Sequence, residues 1–169
     1  METYLAITSR REIREYEARS IPPELVDRIL DAGRVTGSSK NTQPWTFIVT
    51  HNRDRLTALA RCVTRPSNLE HAPLAIAIVV EQEKNAFDAG RVAQNMMLAA
   101  WDLGLGSCPN TVRDLDVFRA IVGSEEGLPR TILTFGYPVK RIRPERRSAE
   151  DWVAAADRKD RSEVVRILD

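Results

Sequence analysis

Residues 87–111 read FDAGRVAQNMMLAAWDLGLGSCPNT, an apolar helical stretch that runs directly into a short segment rich in glycine and polar residues. Its polar side chains are confined to the first half and the last turn, and none occurs from Met96 to Trp101. A helix that rested only one face on a core would keep a polar stripe along its whole length. We therefore expect a buried central helix, ended by Gly104 in the left-handed conformation and followed by a sharp turn at 106–109 that offers backbone N–H groups.

The composition limits the classes of protein to which the chain can belong. Its 169 residues suit one globular domain, 1–169, rather than two. The net charge is +1, so no global field favours nucleic acid or a membrane surface, and the apolar run 74–80 is too short to span a bilayer. Cys62 and Cys108 have neither metal nor redox spacing. We expect a soluble, reduced, cytoplasmic protein without metal, nucleic-acid or membrane partners.

Helical and strand patterns alternate irregularly along the chain. Apolar residues at helical spacing predict a short helix around Tyr4 that ends in a polar run, and a longer helix that begins at Pro23, since proline suits the first helical position. Strands are predicted at TFIVT (46–50), LAIAIVV (74–80) and TILTFG (131–136). The continuous apolar run at 74–80 indicates a strand buried on both faces, and the whole pattern favours an α+β fold with a mixed sheet covered by helices.

The charged C-terminal region carries two further helical patterns, one at Trp152 and one at Val164. Its last part, the tail 154–169, needs a surface to lie on, either on its own domain or on a second subunit, and the sequence leaves both open. A second subunit would also help to cover the central helix, whose apolar half needs more neighbours than a domain of this size readily supplies. The sequence thus favours a homodimer.

Four polar segments are candidates for a binding site. They are the arginines at 10, 11 and 14, the loop Ser38–Gln43, the turn Cys108–Thr111 and the basic run Lys140–Arg147. Arginine binds phosphate through bidentate, charge-assisted hydrogen bonds, and hydroxyl and amide side chains suit ribose or polyol hydroxyls. Each segment also has a plainer interpretation, as a solvated helix end, a turn with a helix cap, or an exposed surface run. Together they indicate a phosphorylated, polyhydroxylated ligand.

The chain offers no evident catalytic side chain. His51 and His71 have no triad partner and no metal-ligand spacing, and the common nucleotide-binding, hydrolase and metalloprotease motifs are absent from the sequence. If the protein is an enzyme, we expect the chemistry to belong to a cofactor.

Taken in order, five segments resemble the FMN-dependent nitroreductase family, and the resemblance covers about Tyr4 to Val153. The segments are SRREIREY at 9–16, GSSKNTQPWTFIV at 37–49, HAPLAIAIVV at 71–80, DAGRVAQNMMLAAWDLGLGSCP at 88–109, and FGYP at 135–138 followed by an arginine-rich stretch. The resemblance implies a three-layer α-β-α sandwich in which a central mixed or antiparallel sheet surrounds a buried helix. It also implies an intertwined homodimer with FMN in two clefts at the subunit interface.

The resemblance further implies a set of cofactor-binding residues. They are Arg10, Arg11, Arg14, Ser38, Ser39, Asn41, Pro109, Asn110, Thr111 and Arg146. The arginines at 10–14 would contact the flavin, and Arg146, with Arg143 as the alternative, would hold its phosphate. The loop at 38–41 would reach a cofactor bound mainly by the partner chain, and the backbone at 109–111 would run beside the flavin N5 edge.

The activity implied is transfer of reducing equivalents from NADH or NADPH to a small acceptor such as a nitroaromatic or a quinone. A flavin-dependent dehalogenase or dehydrogenase on the same scaffold, and a non-catalytic flavin carrier, are the alternatives. The chain departs from the family pattern at Glu12, where serine is common, at Gly37, where proline is usual, and at Thr111-Val112, which replaces a frequent Gly-Gly. A carboxylate beside a phosphate opposes binding, so we expect Glu12 either to pair with an arginine or to point away.

Overall fold

A four-stranded antiparallel sheet organises the chain. The computed structural model describes residues 1–168. Its helices are α1 Thr3–Ser9, α2 Pro23–Arg34, α3 Arg53–Ala60, α4 Ser67–Glu70, α5 Ala86–Asp102, α6 Leu115–Val122, α7 Ala149–Ala154 and α8 Arg161–Val164, and its strands are β1 Trp45–Thr50, β2 Leu74–Val80, β3 Gly106–Asn110 and β4 Leu128–Gly136. The strand order is β1-β2-β4-β3, and every neighbouring pair is antiparallel.

The central strand β2 is buried on both faces, as its continuous apolar sequence predicts. All seven of its residues are buried. Because successive side chains point to opposite faces, Ile76 and Ile78 join one core, whereas Ala77 and Val79 join the other.

The two faces of the sheet carry different helices. On the first face α2 and α5 pack their apolar side chains against β2 and β4, with Ile29, Met96 and Phe135 fully buried. On the second face α3, α4 and α6 contribute Leu56, Leu69 and Phe118. The predicted α+β fold and its three layers, helices on both sides of one sheet, are confirmed, and the sheet is antiparallel rather than mixed.

Helix α5 is the predicted buried central helix. Met96, Met97 and Trp101 are at most 6% exposed, and Gly104 beyond its end has φ of 77°. The left-handed residue lets the chain leave the helix sharply. A single chain therefore already covers most of the apolar half of α5, so the expectation that a partner is needed for this purpose is wrong.

The predicted turn at 106–109 is also wrong, because these residues form β3 at the edge of the sheet. Gly106 is required there, since an added Cβ would lie 2.5 Å from the Cβ of Ile13. Proline at 109 is tolerated because β3 is an edge strand. Ser107 directs its carbonyl outward to the amide of Ile13, and Pro109, two residues on, faces the same way, so no ladder hydrogen bond is lost.

The chain divides into two compact units. One is Arg11–Ile142, which contains the sheet and its two helical layers, and the other joins Met1–Arg10 to the segment that begins at Arg143. In the second unit α1 packs with α7 and with the short 3₁₀ turn Pro144–Arg146. The indole Nε1 of Trp152 donates to the carbonyl of Pro144 at 3.0 Å, which ties α7 to that turn.

The predicted tail 154–169 is described as far as Leu168, and Asp169 lies outside the described residues. From Asp157 onward every described residue is exposed. The apolar side chains of Val164, Ile167 and Leu168 are 65%, 76% and 87% exposed, respectively. Within residues 1–168 no helix combines the length and apolar character that crossing a membrane requires.

Candidate functional site

The segment Arg11–Tyr16 docks on the sheet, with residues 12 and 13 at the outer edge of β3 and Tyr16 beside Pro138 after the end of β4. Glu12 pairs with Ser107 in a parallel bridge, and the amide of Ile13 donates to the carbonyl of Ser107 at 3.0 Å. Four residues after Ile13, the amide of Glu17 donates to the carbonyl of Tyr137 at 2.8 Å. Arg11 and Arg14 are therefore not the solvated end of helix α1, which stops at Ser9, but part of a strand-like segment docked on the sheet.

Glu12 and Arg14 meet at the buried thiol of Cys108, which is 1% exposed. Burial raises the pKa of this thiol; the Arg14 guanidinium opposes the shift and the Glu12 carboxylate adds to it, and both side chains also hydrogen-bond to the sulfur. Successive residues of an extended segment point to opposite sides, so residues 12 and 14 share a side. Glu12 thus faces the same buried thiol as Arg14, and its pairing with an arginine stays a prediction.

Asn110 is braced inside the sheet by all of its amide atoms. Its Nδ2 donates to the carbonyls of Cys108 at 3.0 Å and Ile132 at 2.9 Å, and its Oδ1 accepts from Nδ2 of Asn68 at 2.8 Å. The residue is 4% exposed. Its side chain therefore has a structural task, and the predicted contact with a cofactor stays a prediction for its backbone.

Pro109 and Thr111 lie on the outer edge of β3 and are exposed. The edge is covered at Ser107 by the amide of Ile13 and at Thr111 by the amide of Thr64, which donates to the Thr111 carbonyl at 3.1 Å. Pro109 lies between these two covered positions. A flat ligand could approach the backbone there, with Arg14 at its side.

The loop Ser38–Gln43 is a strained turn held from within. Lys40, Asn41 and Gln43 have φ of 51°, 55° and 48°, respectively, a region that non-glycine residues adopt rarely. The hydroxyl of Ser38 accepts a hydrogen bond from the amide of Gln43 at 2.8 Å, whereas Ser39 and Asn41 are exposed. Strain of this kind concentrates at binding sites and switches, which is consistent with the predicted role of the loop.

Helix α5 anchors the base of this loop. Nδ2 of Asn95 donates to the hydroxyl of Thr36 at 2.8 Å, and one turn earlier Nη2 of Arg91 lies 3.0 Å from the position that a Cβ on Gly37 would occupy. A side chain at 37 would need only the tip of Arg91 to shift, so this contact does not by itself explain the glycine. The sequence analysis did not predict that Arg91 and Asn95 contact the base of the loop. Their spacing of four residues places them on the same face of α5, which was the available signal.

The remaining predicted arginines belong to the other unit. Arg10 follows the last residue of α1 and is half-buried, Arg146 ends the Pro144–Arg146 turn and is exposed, and Arg143 precedes that turn. Because α1 packs with this turn, Arg10 and Arg146 lie in neighbouring elements. The predicted residues thus fall in the two units, with 10 and 146 in one and 11, 14, 38–41 and 109–111 in the other, where residues 12–14 contact β3.

A cavity of about 1120 Å³ opens where β1 ends and β2 begins, and Tyr16 and Glu17, at the end of the arginine segment, line part of it. Its lining includes His51, His71, Arg19 and the apolar side chains of Ile21 and Leu74. None of the predicted cofactor-binding residues lines it. Size alone therefore does not identify the candidate site, which rests on the arginines and the edge of β3.

The comparison with known families decides the family to which this fold belongs. A family model described as the nitroreductase family matches residues 7–65 and 60–137. The chain belongs to the nitroreductase family. The predicted family and the prediction that the protein is an oxidoreductase are confirmed.

Three similar proteins illustrate the relationship of this nitroreductase family member. A protein of Methanothermobacter thermautotrophicus named "Putative NADH dehydrogenase/NAD(P)H nitroreductase" is 31% identical over 169 residues, which cover 90% of this chain and 88% of that protein. The solved structure of an FMN-dependent nitroreductase from Clostridium difficile R20291 has a TM-score of 0.81 and 29% identity, and covers 100% of this chain and 99% of that chain. Iodotyrosine deiodinase of Hydra vulgaris is 34% identical over only 50 residues, 30% of this chain and 18% of that protein.

Proposed function

We propose that this nitroreductase family member binds FMN and uses NADH or NADPH to reduce a small acceptor such as a nitroaromatic or a quinone. The observation that carries the proposal is the docking of residues 12 and 13 on Ser107 of β3, which places Arg14 at the thiol of Cys108, one residue before the open backbone at Pro109. The full-length similarity to an FMN-dependent nitroreductase supports it. So does the name of the relative that is 31% identical.

The residues present fit FMN in charge and in shape. Arg11 and Arg14 supply positive charge beside an edge strand, as a phosphate or an electron-rich pyrimidine ring requires. Pro109 is exposed and leaves the edge open to a flat ring at that position. The bound flavin would supply the redox chemistry, and the chain would bind and orient it and offset its negative charge.

We further propose that the active unit is a homodimer. The loop at Ser38–Asn41 is exposed, and in the proposed arrangement it reaches the flavin of the partner subunit. The exposed apolar side chains of Val164, Ile167 and Leu168 support an exchanged tail, because a soluble chain gains about 25 cal/mol for each Å² of apolar surface that it covers. Light scattering tests the proposal: a monomer of about 19 kDa that binds FMN at full stoichiometry would rule out a shared site.

The test of the function is the purified protein itself. We expect a flavin absorption spectrum that NADH or NADPH bleaches under anaerobic conditions, and reoxidation when a nitroaromatic or quinone is added. A colourless protein that does not take up added FMN would overturn the proposal. FMN that is bound tightly but never reduced would instead identify a flavin carrier.

The short similarity to iodotyrosine deiodinase keeps a dehalogenase as the second candidate. It covers under a third of the chain, so it supports a shared flavin-binding segment more than a shared substrate. Product analysis with halogenated and nitro acceptors, offered to the reduced protein in parallel, distinguishes the two. Halide release without nitro reduction would favour the dehalogenase.

A further inference from the structure

The buried hydroxyl of Tyr16 lies against the backbone of residues 11–14, the segment that carries Arg11 and Arg14. The residue is 8% exposed, and its hydroxyl lies 2.6 Å from the carbonyl oxygen of Ile13 and 3.0 Å from Oγ1 of Thr134. Burial raises the pKa of the phenol well above its ordinary value, so the hydroxyl keeps its proton near neutral pH. It is a hydrogen-bond donor at that pH.

The acceptors around Tyr16 define this network. The carbonyl of Ile13 can only accept, so Tyr16 donates to it. The hydroxyl of Thr134 lies within donor distance of two oxygens, the phenol oxygen of Tyr16 at 3.0 Å and the carbonyl of Cys108 at 3.2 Å. That carbonyl also accepts from Nδ2 of Asn110 at 3.0 Å, as its two lone pairs allow. The result is a hydrogen-bonded network that joins β3 and β4 through Tyr16 to the segment that bears the arginines.

The ring of Tyr16 has little freedom to move away. A Cβ on Gly136 would lie 2.6 Å from Cδ1 of the ring, so the ring rests directly on the backbone at the end of β4. On the other side of the segment, the amide of Ile13 is fixed by Ser107. The hydroxyl therefore holds the carbonyl of the peptide that joins Ile13 to Arg14, while β3 holds the amide of the preceding peptide, which joins Glu12 to Ile13.

We propose that Tyr16 is a positioning residue for Arg14: its hydroxyl fixes the Ile13 carbonyl and so aims the Arg14 guanidinium at the ligand beside β3. The inference rests on the FMN binding proposed above and adds a residue that touches neither flavin nor acceptor. Without the hydroxyl, the Ile13–Arg14 peptide rotates more freely, and part of the arginine orientation is lost before the ligand binds.

The experiment compares Tyr16→Phe with Tyr137→Phe. Tyr16→Phe keeps the ring and removes only the hydroxyl, and Tyr137→Phe keeps the ring on which Arg19 stacks at 3.9 Å from the centroid. We expect Tyr16→Phe to bind FMN about tenfold more weakly, which is about 1.4 kcal/mol, and to shift the absorption maximum or the midpoint potential of bound flavin. Tyr137→Phe should match the wild type in all three.

A second readout does not depend on flavin. Hydrogen–deuterium exchange of the apoprotein should accelerate in the peptide containing residues 13–15 in Tyr16→Phe and in Thr134→Val, and not in Tyr137→Phe. Unchanged exchange there, or an unchanged FMN affinity and flavin spectrum, would overturn the inference. If the wild type binds no FMN, the proposed function fails by itself, and accelerated exchange would still show that the hydroxyl holds the segment without positioning it for a flavin.

Discussion

Replacing Asn110 by alanine should destabilise the protein far more than it should impair cofactor binding. The side chain makes hydrogen bonds of 2.8, 2.9 and 3.0 Å, and each is worth about 1 kcal/mol net. Truncation also leaves Nδ2 of Asn68 buried without its main acceptor, at about 1–3 kcal/mol. The sulfur of Cys108 at 3.8 Å offsets part of that loss. We expect a total of about 3–5 kcal/mol, a large fraction of the usual stability of a domain.

Urea unfolding of the apoprotein at one fixed protein concentration measures this effect, because the stability of a dimer depends on concentration. Asn68→Ala and the double variant complete a thermodynamic cycle. If the bond between the two amides is real, the double variant should lose about 1–3 kcal/mol less than the sum of the single losses. Asn41→Gly is the converse control, since it removes an exposed amide at φ of 55° without strain and should weaken FMN more than folding.

Three outcomes would refute this reasoning. A loss below about 1 kcal/mol for Asn110→Ala would mean that water or a rearranged partner replaces the three bonds. Strict additivity of the Asn68 and Asn110 variants would mean that the two amides do not interact. A large drop in FMN affinity with unchanged stability would instead make Asn110 a direct cofactor ligand.

Three further predictions follow from the same structure. Gly106→Ala should cost about 1–3 kcal/mol in thermal unfolding because its methyl group collides with the docked segment, whereas Gly90→Ala meets open space inside α5 and should stabilise by up to about 1 kcal/mol. Arg14→Ala should weaken FMN binding by about 1.5–3 kcal/mol in a titration of apoprotein, whereas Arg141→Ala, at an exposed position, should leave the affinity unchanged. Equal affinities of the two variants would mean that Arg14 does not contact FMN. Burial raises the pKa of Cys62 to about 11, so the unfolded chain ionises first and stability should fall as pH rises from about 9 to 11. In Cys62→Ala this loss of unfolding free energy between pH 9 and 11, at most about 2–3 kcal/mol, should disappear from urea titrations. An unchanged pH dependence would show that Cys62 is not its source.

The parts of the fold that the sequence predicts are those decided by local chemistry. Strand β2 is recognisable because a run of seven consecutive apolar residues is typical of a strand that is covered on both faces. Helix α2 begins at Pro23 because proline lacks the donor that a first helical residue does not need. The end of α5 follows from Gly104, since an αL residue is cheapest for glycine. In each case the residues that determine the element lie within it or directly at its end.

Strand β3 was missed because its cause lies elsewhere in the chain. Gly106 and Pro109 are typical of turns, and nothing within the segment 106–110 favours a strand. The strand forms because β4 pairs with one side of it and residue 13 with the other. The brace from Asn68 to Asn110 is equally invisible in sequence, since the two residues are far apart in the chain and each is common in loops. Long-range pairing, rather than propensity, determines this half of the candidate site.

The location of the arginines is best understood as a consequence of protecting that edge. An edge strand exposes unpaired backbone groups, which favour unwanted association unless something covers them. Here the backbone of Ile13 covers Ser107, that of Thr64 covers Thr111, and the position between them is Pro109, which has no N–H to expose. The segment whose backbone pairs with Ser107 also carries Arg14. The same docking therefore protects the edge of β3 and places a guanidinium beside it. A variant that loosens this cover should therefore lose stability and ligand affinity together, whereas one that shortens only the arginine side chain should lose affinity alone.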